Sequence, residues 1–270
     1  MDFLFFSFLV VFFCLFLFSP STNACERCLH HSKAAYFPSE ADLSGGACGY
    51  GSMATQLNGG YIAAGNPALF RRGNGCGGCY KVRCVDKMLC NSEGVKVILT
   101  DSSRRVNRTE LVLSKKGFMA MAQKGLAHHL MRLKMVHVEY KRIPCEYKNK
   151  NLSIRVEEGS RNPKHLTLKF LFQGGQTDIV AVDLAQVGSP IWEYMTQRRG
   201  PIWSTSRAPT GPLQLRVVVT GGSSGKWVWA ETEVLPAEWE VGKIYDTGVQ
   251  ISDVAKEACL LPCERGSRRE

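Results

Sequence analysis

GGACGYG (Gly45 to Gly51) and GCGGCYKVRC (Gly75 to Cys84) are the two stretches whose reading decides the fold of this chain. Glycines this dense describe backbone bent through conformations that only glycine adopts without strain. Cysteines set among them staple those bends by sulfur, the pattern of a rigid wall in a small barrel.

Outward from these motifs, the N-terminus comes first. The first 18 residues are almost unbroken Phe, Leu and Val, followed by Ser19-Pro20 and the small-residue stretch Thr22-Asn23-Ala24. Residues 1–24 read as a removed secretory signal, although the segment before the apolar run carries Asp2 and no Lys or Arg. A retained anchor is the weaker reading, because the run falls short of the roughly 20 residues a bilayer requires and Pro20 closes it. No other segment is long enough to span a membrane.

The chain has 11 cysteines, and loss of the signal removes Cys14 to leave an even set in an exported protein. Disulfides are therefore expected. Zinc is the competing reading, since Cys25-x-x-Cys28 and Cys76-x-x-Cys79 have ribbon-like spacing and His30 and His31 lie close to the first pair. Export argues against it, so neither a metal nor a cofactor is expected. The formal net charge is +10, with Lys and Arg scattered along the chain. Such a field favours acidic partners. Nucleic acid is excluded by the compartment, which leaves an acidic polysaccharide, a wall surface or simple solubility as the meaning of the charge.

The cysteines divide the chain unevenly: eight of the ten lie between Cys25 and Cys145, and none follows until Cys259. With the polar run Tyr147-Lys148-Asn149-Lys150-Asn151, this break marks a linker near residues 146–151. The second half carries β-rich runs at 152–157, 166–172, 178–184, 213–220, 227–234 and 244–251, separated by turn clusters such as Gly221-Gly222-Ser223-Ser224-Gly225. That spacing predicts an all-β sandwich of about 100 residues. The first half predicts strands over 80–85, 95–100 and 135–143. It also predicts one helix, capped by Ser114 and running over 115–123, with Phe118, Met119 and Ala122 toward the core. Asn66-Pro67 predicts a short helical turn. Asn107-Arg108-Thr109 and Asn151-Leu152-Ser153 are glycosylation sequons.

These motifs, with the Leu99-Thr100-Asp101 strand end, the LSKKGFMAMA helix start and a trailing sandwich ending near Val249-Gln250-Ile251, together resemble the plant expansin superfamily. The opening CERCLHHSKA (Cys25 to Ala34) and the cysteine-bearing tail resemble its expansin-like A branch. The resemblance implies a mostly β fold: a six-stranded double-psi β-barrel related to family 45 glycoside hydrolases, then an immunoglobulin-like β-sandwich of the cellulose-binding type. The implied organisation is signal 1–24, barrel domain 25–147, sandwich 148–251 and C-terminal extension 252–270. The implied disulfides are Cys48 with Cys76, Cys79 with Cys145 and Cys84 with Cys90. Cys25, Cys28, Cys259 and Cys263 remain without an assigned pairing.

The same resemblance implies a groove over the barrel that includes Tyr36, Tyr50 and Asp101. Inverting glycoside hydrolysis needs two carboxyl groups about 6.5–9.5 Å apart, one to protonate the leaving oxygen and one to activate water. Asp101 matches the first. The general-acid Asp of the barrel family falls at Val112, within Glu110-Leu111-Val112, and a valine carries no proton. A groove Thr falls at Ala35 and a nearby aromatic at Ser103. Glu110 is the one candidate rescue, because residues two apart on a strand share a face; a solvated loop glutamate is the plainer reading.

For the sandwich, the resemblance places a polysaccharide platform at Trp203 and at a second position that here reads Lys164-His165-Leu166, without an aromatic residue. Trp227 and Trp229 lie two apart on one strand and share a face, a second binding strip or a packing pair. Trp192 and Trp239 read as core. The whole reads as a secreted, non-enzymatic wall protein that binds cellulose, xyloglucan or pectin as a monomer. Its rivals are a residual glycoside hydrolase or lytic enzyme using Asp101 and Glu110, and an extracellular binding or signalling module for some other ligand.

Overall fold

The structure is a computed structural model, which describes residues 29–39, 45–103, 109–220 and 225–255. Residues 1–24, read from the sequence as a signal, Asn107 and the four unassigned cysteines lie outside them. Among the described residues no helix is long and apolar enough to cross a membrane.

Six strands close the barrel: β1 (His30–Tyr36), β2 (Ile62–Gly65), β3 (Cys79–Cys84), β4 (Val95–Ser102), β5 (Thr109–Leu113) and β6 (Met135–Ile143). Their order around the wall is β1-β5-β2-β4-β3-β6. The β1/β5 and β2/β4 pairs run parallel and the others antiparallel. Alternation directs the strands. In β6, Val136, Val138 and Tyr140 enter the core, while Glu139 pairs outside with Arg83.

Three disulfides form with the implied pairing: Cys48–Cys76, Cys79–Cys145 and Cys84–Cys90, the second linking positions 66 residues apart. Cys76 and Cys79 thus belong to different bridges and are not available as a zinc pair.

The helix capped by Ser114 is shorter than expected. Ser114 Oγ accepts from Gly117 N at 3.0 Å, but the helix spans only Lys115–Met119. Residues beyond it turn to the Cys84–Cys90 loop, where Asn91 N donates to Met121 O at 2.9 Å and Gln123 N to Leu89 O at 2.8 Å. Phe118 and Met121 therefore fill the core, whereas Met119 is exposed. Asn66 caps Pro67–Phe70 as expected, its side chain accepting from Leu69 N. A further helix, Ala127–Arg132, buries Leu130.

The second half is built from β7 (Ser153–Val156), β8 (Leu166–Leu171), β9 (Asp178–Gln186), β10 (Glu193–Tyr194), β11 (Thr196–Arg199), β12 (Ile202–Thr205), β13 (Leu213–Thr220), β14 (Gly225–Leu235) and β15 (Ile244–Asp246). They form a four-stranded sheet, β10-β9-β13-β14, and a five-stranded sheet, β11-β12-β8-β7-β15. The apolar residues of each sheet's inner face meet across the gap: Ile154, Leu168 and Phe170 from one join Val182, Leu215 and Val217 from the other in one core. The strand expected to run to residue 251 stops at Asp246, because Gly248 turns the chain at φ +73° and Thr247 Oγ1 donates to Leu152 O at 2.7 Å.

Barrel and sandwich meet at several points. Cys145 exchanges two backbone hydrogen bonds with Gly175, at 2.8 and 3.0 Å, and the Tyr147 ring packs edge-on to Phe172 at 5.5 Å. Asp178 of β9 accepts from Arg71 at 3.1 Å and from Arg142 at 2.6 Å, both arginines belonging to the barrel half. At the turn before β12, a Cβ on Gly73 would lie 2.4 Å from Gly200 N, and one on Gly200 would lie 2.9 Å from Cys76 Sγ.

Candidate functional site

Four barrel strands bring one row of residues into register. Ala35 in β1 is the Cα partner of Val112 in β5, Val112 is the partner of Ala64 in β2, and Ala64 is the partner of Asp101 in β4. Register partners direct their side chains to the same side of a sheet. The row therefore reads alanine, valine, alanine, aspartate. Neighbouring strands lie about 4.8 Å apart, so two steps separate Asp101 from position 112 by about 10 Å at Cα. Two carboxyls set there would approach the spacing of an inverting pair. Position 112 carries an isopropyl group, 1% exposed.

Asp101 is engaged by backbone. Its Oδ1 accepts from Ala47 N at 2.6 Å and from Ser102 N at 2.7 Å. The loop reaches it because Gly46 has no side chain: a Cβ there would meet Thr100 O at 2.6 Å. Ser102, the residue after Asp101, lines a cleft of about 540 Å³ together with Pro67, Phe70, Arg71 and Arg72.

Glu110 does not share a face with Val112. The β1–β5 register shifts between Lys33, opposite Thr109, and Ala34, opposite Leu111, so Glu110 is passed over as a bulge. A bulge breaks the period-two alternation. The Glu110 carboxylate accepts from Tyr140 Oη at 2.5 Å, and Tyr140 is part of the barrel core. Ser103 is buried and donates its N–H to Gly65 O at 2.7 Å, closing the strand end.

Neither expected groove tyrosine lies in the row. Tyr36 follows Ala35 and so points to the other side of β1, where its ring lies 5.0 Å from Phe118 and its hydroxyl donates to Met131 O at 3.3 Å. Tyr50 is buried beside Cys48, Cys79 and Cys145. That burial, with a smaller effect of Tyr147, pushes its phenol far above the ordinary range.

The sandwich corrects a further expectation. Trp203 pairs with Leu168, and Leu168 with Val156. Both partners are fully buried, so Trp203 faces inward with them and is only 4% exposed. No face of this ring is open to a flat polysaccharide. Lys164 is exposed, next to the Asn162–Pro163 bond, and its carbonyl accepts from Ala208 N at 3.0 Å. Trp239 is core, as expected, but Trp192 is not: it lies half-exposed at the outer side of the four-stranded sheet. Trp227 and Trp229 are 41% and 40% exposed on that same sheet. Arg216, which no motif singled out, lies among these three rings. The alternation in Leu213-Gln214-Leu215-Arg216-Val217, with its leucines and valine buried, was the available signal. Asn151 is half-buried, and its amide donates to Asp246 at 3.3 Å.

Comparison with known proteins agrees with this architecture in both halves. A family model described as lytic transglycolase, of the double-psi β-barrel type, matches residues 62–140, and the expansin C-terminal domain matches residues 152–236. The chain is similar to Expansin-like A1 of Arabidopsis thaliana, with 52% identity over 96% of this chain and 97% of that one. It is similar to Expansin-like A3 of Oryza sativa subsp. japonica, with 53% identity over 90% of this chain and 89% of that one. Among solved structures, apo Clavibacter michiganensis expansin superposes with a TM-score of 0.62 at 18% identity, covering 82% of this chain and 97% of that one. A mutant of that bacterial protein in complex with cellohexaose gives 0.61 with the same identity and coverage. With a double-psi barrel and a sandwich in this order, and with identity above one half across nearly the whole length of plant relatives, the chain belongs to the expansin-like A family.

Proposed function

We propose that this protein is a secreted, non-hydrolytic cell-wall protein that binds wall polysaccharide and modulates adhesion between wall polymers. The observation that carries the non-hydrolytic part is the Ala35–Val112–Ala64–Asp101 row, which holds one carboxylate. A positioned general acid contributes about 10²–10⁴ in rate, equivalent to roughly 3–5 kcal/mol of barrier. A lone Asp101, already accepting two backbone N–H groups on one oxygen, activates water at most and leaves the departing oxygen unprotonated. Glu110 supplies no second acid there, because its carboxylate is bound to Tyr140.

Export is supported by the apolar first 18 residues and by three disulfides, which persist in oxidising compartments. Polysaccharide binding is supported by the family membership and by the bacterial expansin mutant of the same fold, which is in complex with cellohexaose.

Two measurements on the purified protein test this function. Incubated with cellulose, xyloglucan, xylan and pectin, the wild type is expected to release no reducing ends, and Asp101→Asn and Glu110→Gln to leave that null result unchanged. Release of shorter chains by the wild type, abolished by either substitution, would establish a hydrolase instead. Co-sedimentation with the same polymers is expected to show binding to at least one; failure on all four would refute the binding part.

A further inference from the structure

The outer face of the four-stranded sheet carries an arrangement that the groove and the buried Trp203 do not account for. Arg216 in β13 is the Cα partner of both Trp229 in β14 and Asp183 in β9, and Asp183 is the partner of Tyr194 in β10. A row Tyr194–Asp183–Arg216–Trp229 thus crosses the sheet. It points outward, since Leu215 and Val217 on either side of Arg216 enter the core.

Three indoles surround the arginine. The guanidinium carbon of Arg216 lies 4.3 Å from the centre of Trp192, 4.3 Å from Trp227 and 4.9 Å from Trp229, within the range of cation–π attraction. Its Nε donates to Asp183 Oδ2 at 2.8 Å. Arg216 is therefore a compensated charge that fixes the rings, and it is not an open receptor for an anion. The outer surfaces of Trp227 and Trp229 remain in water, a concentration of aromatic area that monomeric proteins rarely leave exposed without use.

We propose that this face binds a single, neutral β-glucan chain by stacking of its sugar rings on Trp227, Trp229 and Trp192. Given polysaccharide binding as proposed above, three features name the polymer class. Aromatic faces with polar groups at their margins match a ligand that is apolar on its ring face and hydroxylated at its edge. The charge at the centre is cancelled by Asp183, whose carboxylate lies in the row itself and leaves Arg216 no free charge to pair with a uronate. An acid there disfavours a polyuronate, so pectin is selected against despite the net charge of +10. The rings are also not coplanar. Trp192 and Trp229 are inclined by 87° at 5.4 Å, and Trp227 and Trp229 by 45° at 5.9 Å. A flat crystalline surface cannot meet rings at such angles, whereas a free chain rotates about its linkages to present successive sugars to each.

The test compares the full-length wild type with Trp227→Ala/Trp229→Ala and with the single Trp229→Ala, all checked for native melting. Tryptophan fluorescence is titrated with cellohexaose and soluble xyloglucan, and retention is measured on microcrystalline cellulose and on pectin. The wild type is expected to bind the soluble neutral glucans more tightly than either of the other two, with little effect of added salt. The double variant is expected to lose about tenfold or more in affinity for them, and the single variant an intermediate amount. Equal binding of soluble glucan by wild type and double variant overturns this site while leaving polysaccharide binding intact. Failure of the wild type on every polymer overturns both. A preference for pectin overturns the polymer class. Loss of wild-type dimerisation or of vesicle binding in the double variant, without loss of glucan affinity, makes the face a self-association or membrane surface and overturns the proposal.

Discussion

Trp203 shows how one residue's role turns on the parity of its strand. Its ring packs between the two sheets because its register partner, Leu168, is fully buried. Truncating a buried tryptophan leaves a cavity and typically costs about 3–5 kcal/mol. Trp203→Ala should therefore lower the midpoint of denaturant unfolding sharply, and any fall in polysaccharide retention should follow the unfolded fraction. A native unfolding curve with lost retention would instead put the ring on the surface. Gly-Pro-Ile-Trp identified this as a notable tryptophan, but four letters do not reveal which side of a strand faces the core. That is set by pairing with Leu168, in a strand far earlier in the chain. Arg216 was illegible for the complementary reason: a single arginine in an apolar strand signals an outward position and says nothing of the three rings that gather there.

Among elements, strands of regular alternation were legible from sequence and irregular ones were not. β6 and β13 span the residues their alternation predicts, 135–143 and 213–220. In β5, by contrast, the bulge opposite Lys33 and Ala34 moves Glu110 off the face that carries Val112, and a bulge leaves no mark in so short a run of sequence. The Ser114 helix ended early because its continuation was claimed by the Cys84–Cys90 loop, a competition invisible locally. At the end of β7, Arg155 supplies a test of local electrostatics. Its guanidinium donates to Glu158 and holds that carboxyl at about 2, against an ordinary 4.5. A carboxyl depressed in the folded state adds stability that is complete above the ordinary value and is lost as pH falls toward 2. Glu158 is 69% exposed, so the contribution is small and weakened by salt. Glu158→Gln should make the stability curve slightly less steep over that acid window at low ionic strength and leave it unchanged at neutral pH beyond a constant offset. An identical acid limb in the two proteins would deny the pair any role.

At the scale of the whole molecule, the two halves are joined by polar contacts and by backbone in addition to the chain itself. Asp178 takes hydrogen bonds from Arg71 and Arg142, and Arg142 is largely buried. Removing one partner of a buried pair strands the other charge, a loss of about 3–5 kcal/mol. Asp178→Ala should accordingly lower the melting temperature and separate a sandwich transition from that of the barrel, which the Cys79–Cys145 bridge braces independently. A single calorimetric peak at the wild-type temperature would show that the arginines contribute nothing to the joint. The existence of two β domains was visible in the cysteine distribution and turn spacing. Their joint was not, because it depends on residues such as Gly73 and Gly200 that are remote in sequence.

That glycine pair sets a rule for recombination. A Cβ on Gly73 would fall 2.4 Å from the backbone of Gly200, and both residues have positive φ, +105° and +53°. Main chain lies directly on main chain, with no side chain between to repack. Hybrids that splice the barrel of one relative onto the sandwich of another should assemble only when the donor loops on both sides of the splice bring a glycine to this crossing, however well their surfaces otherwise match.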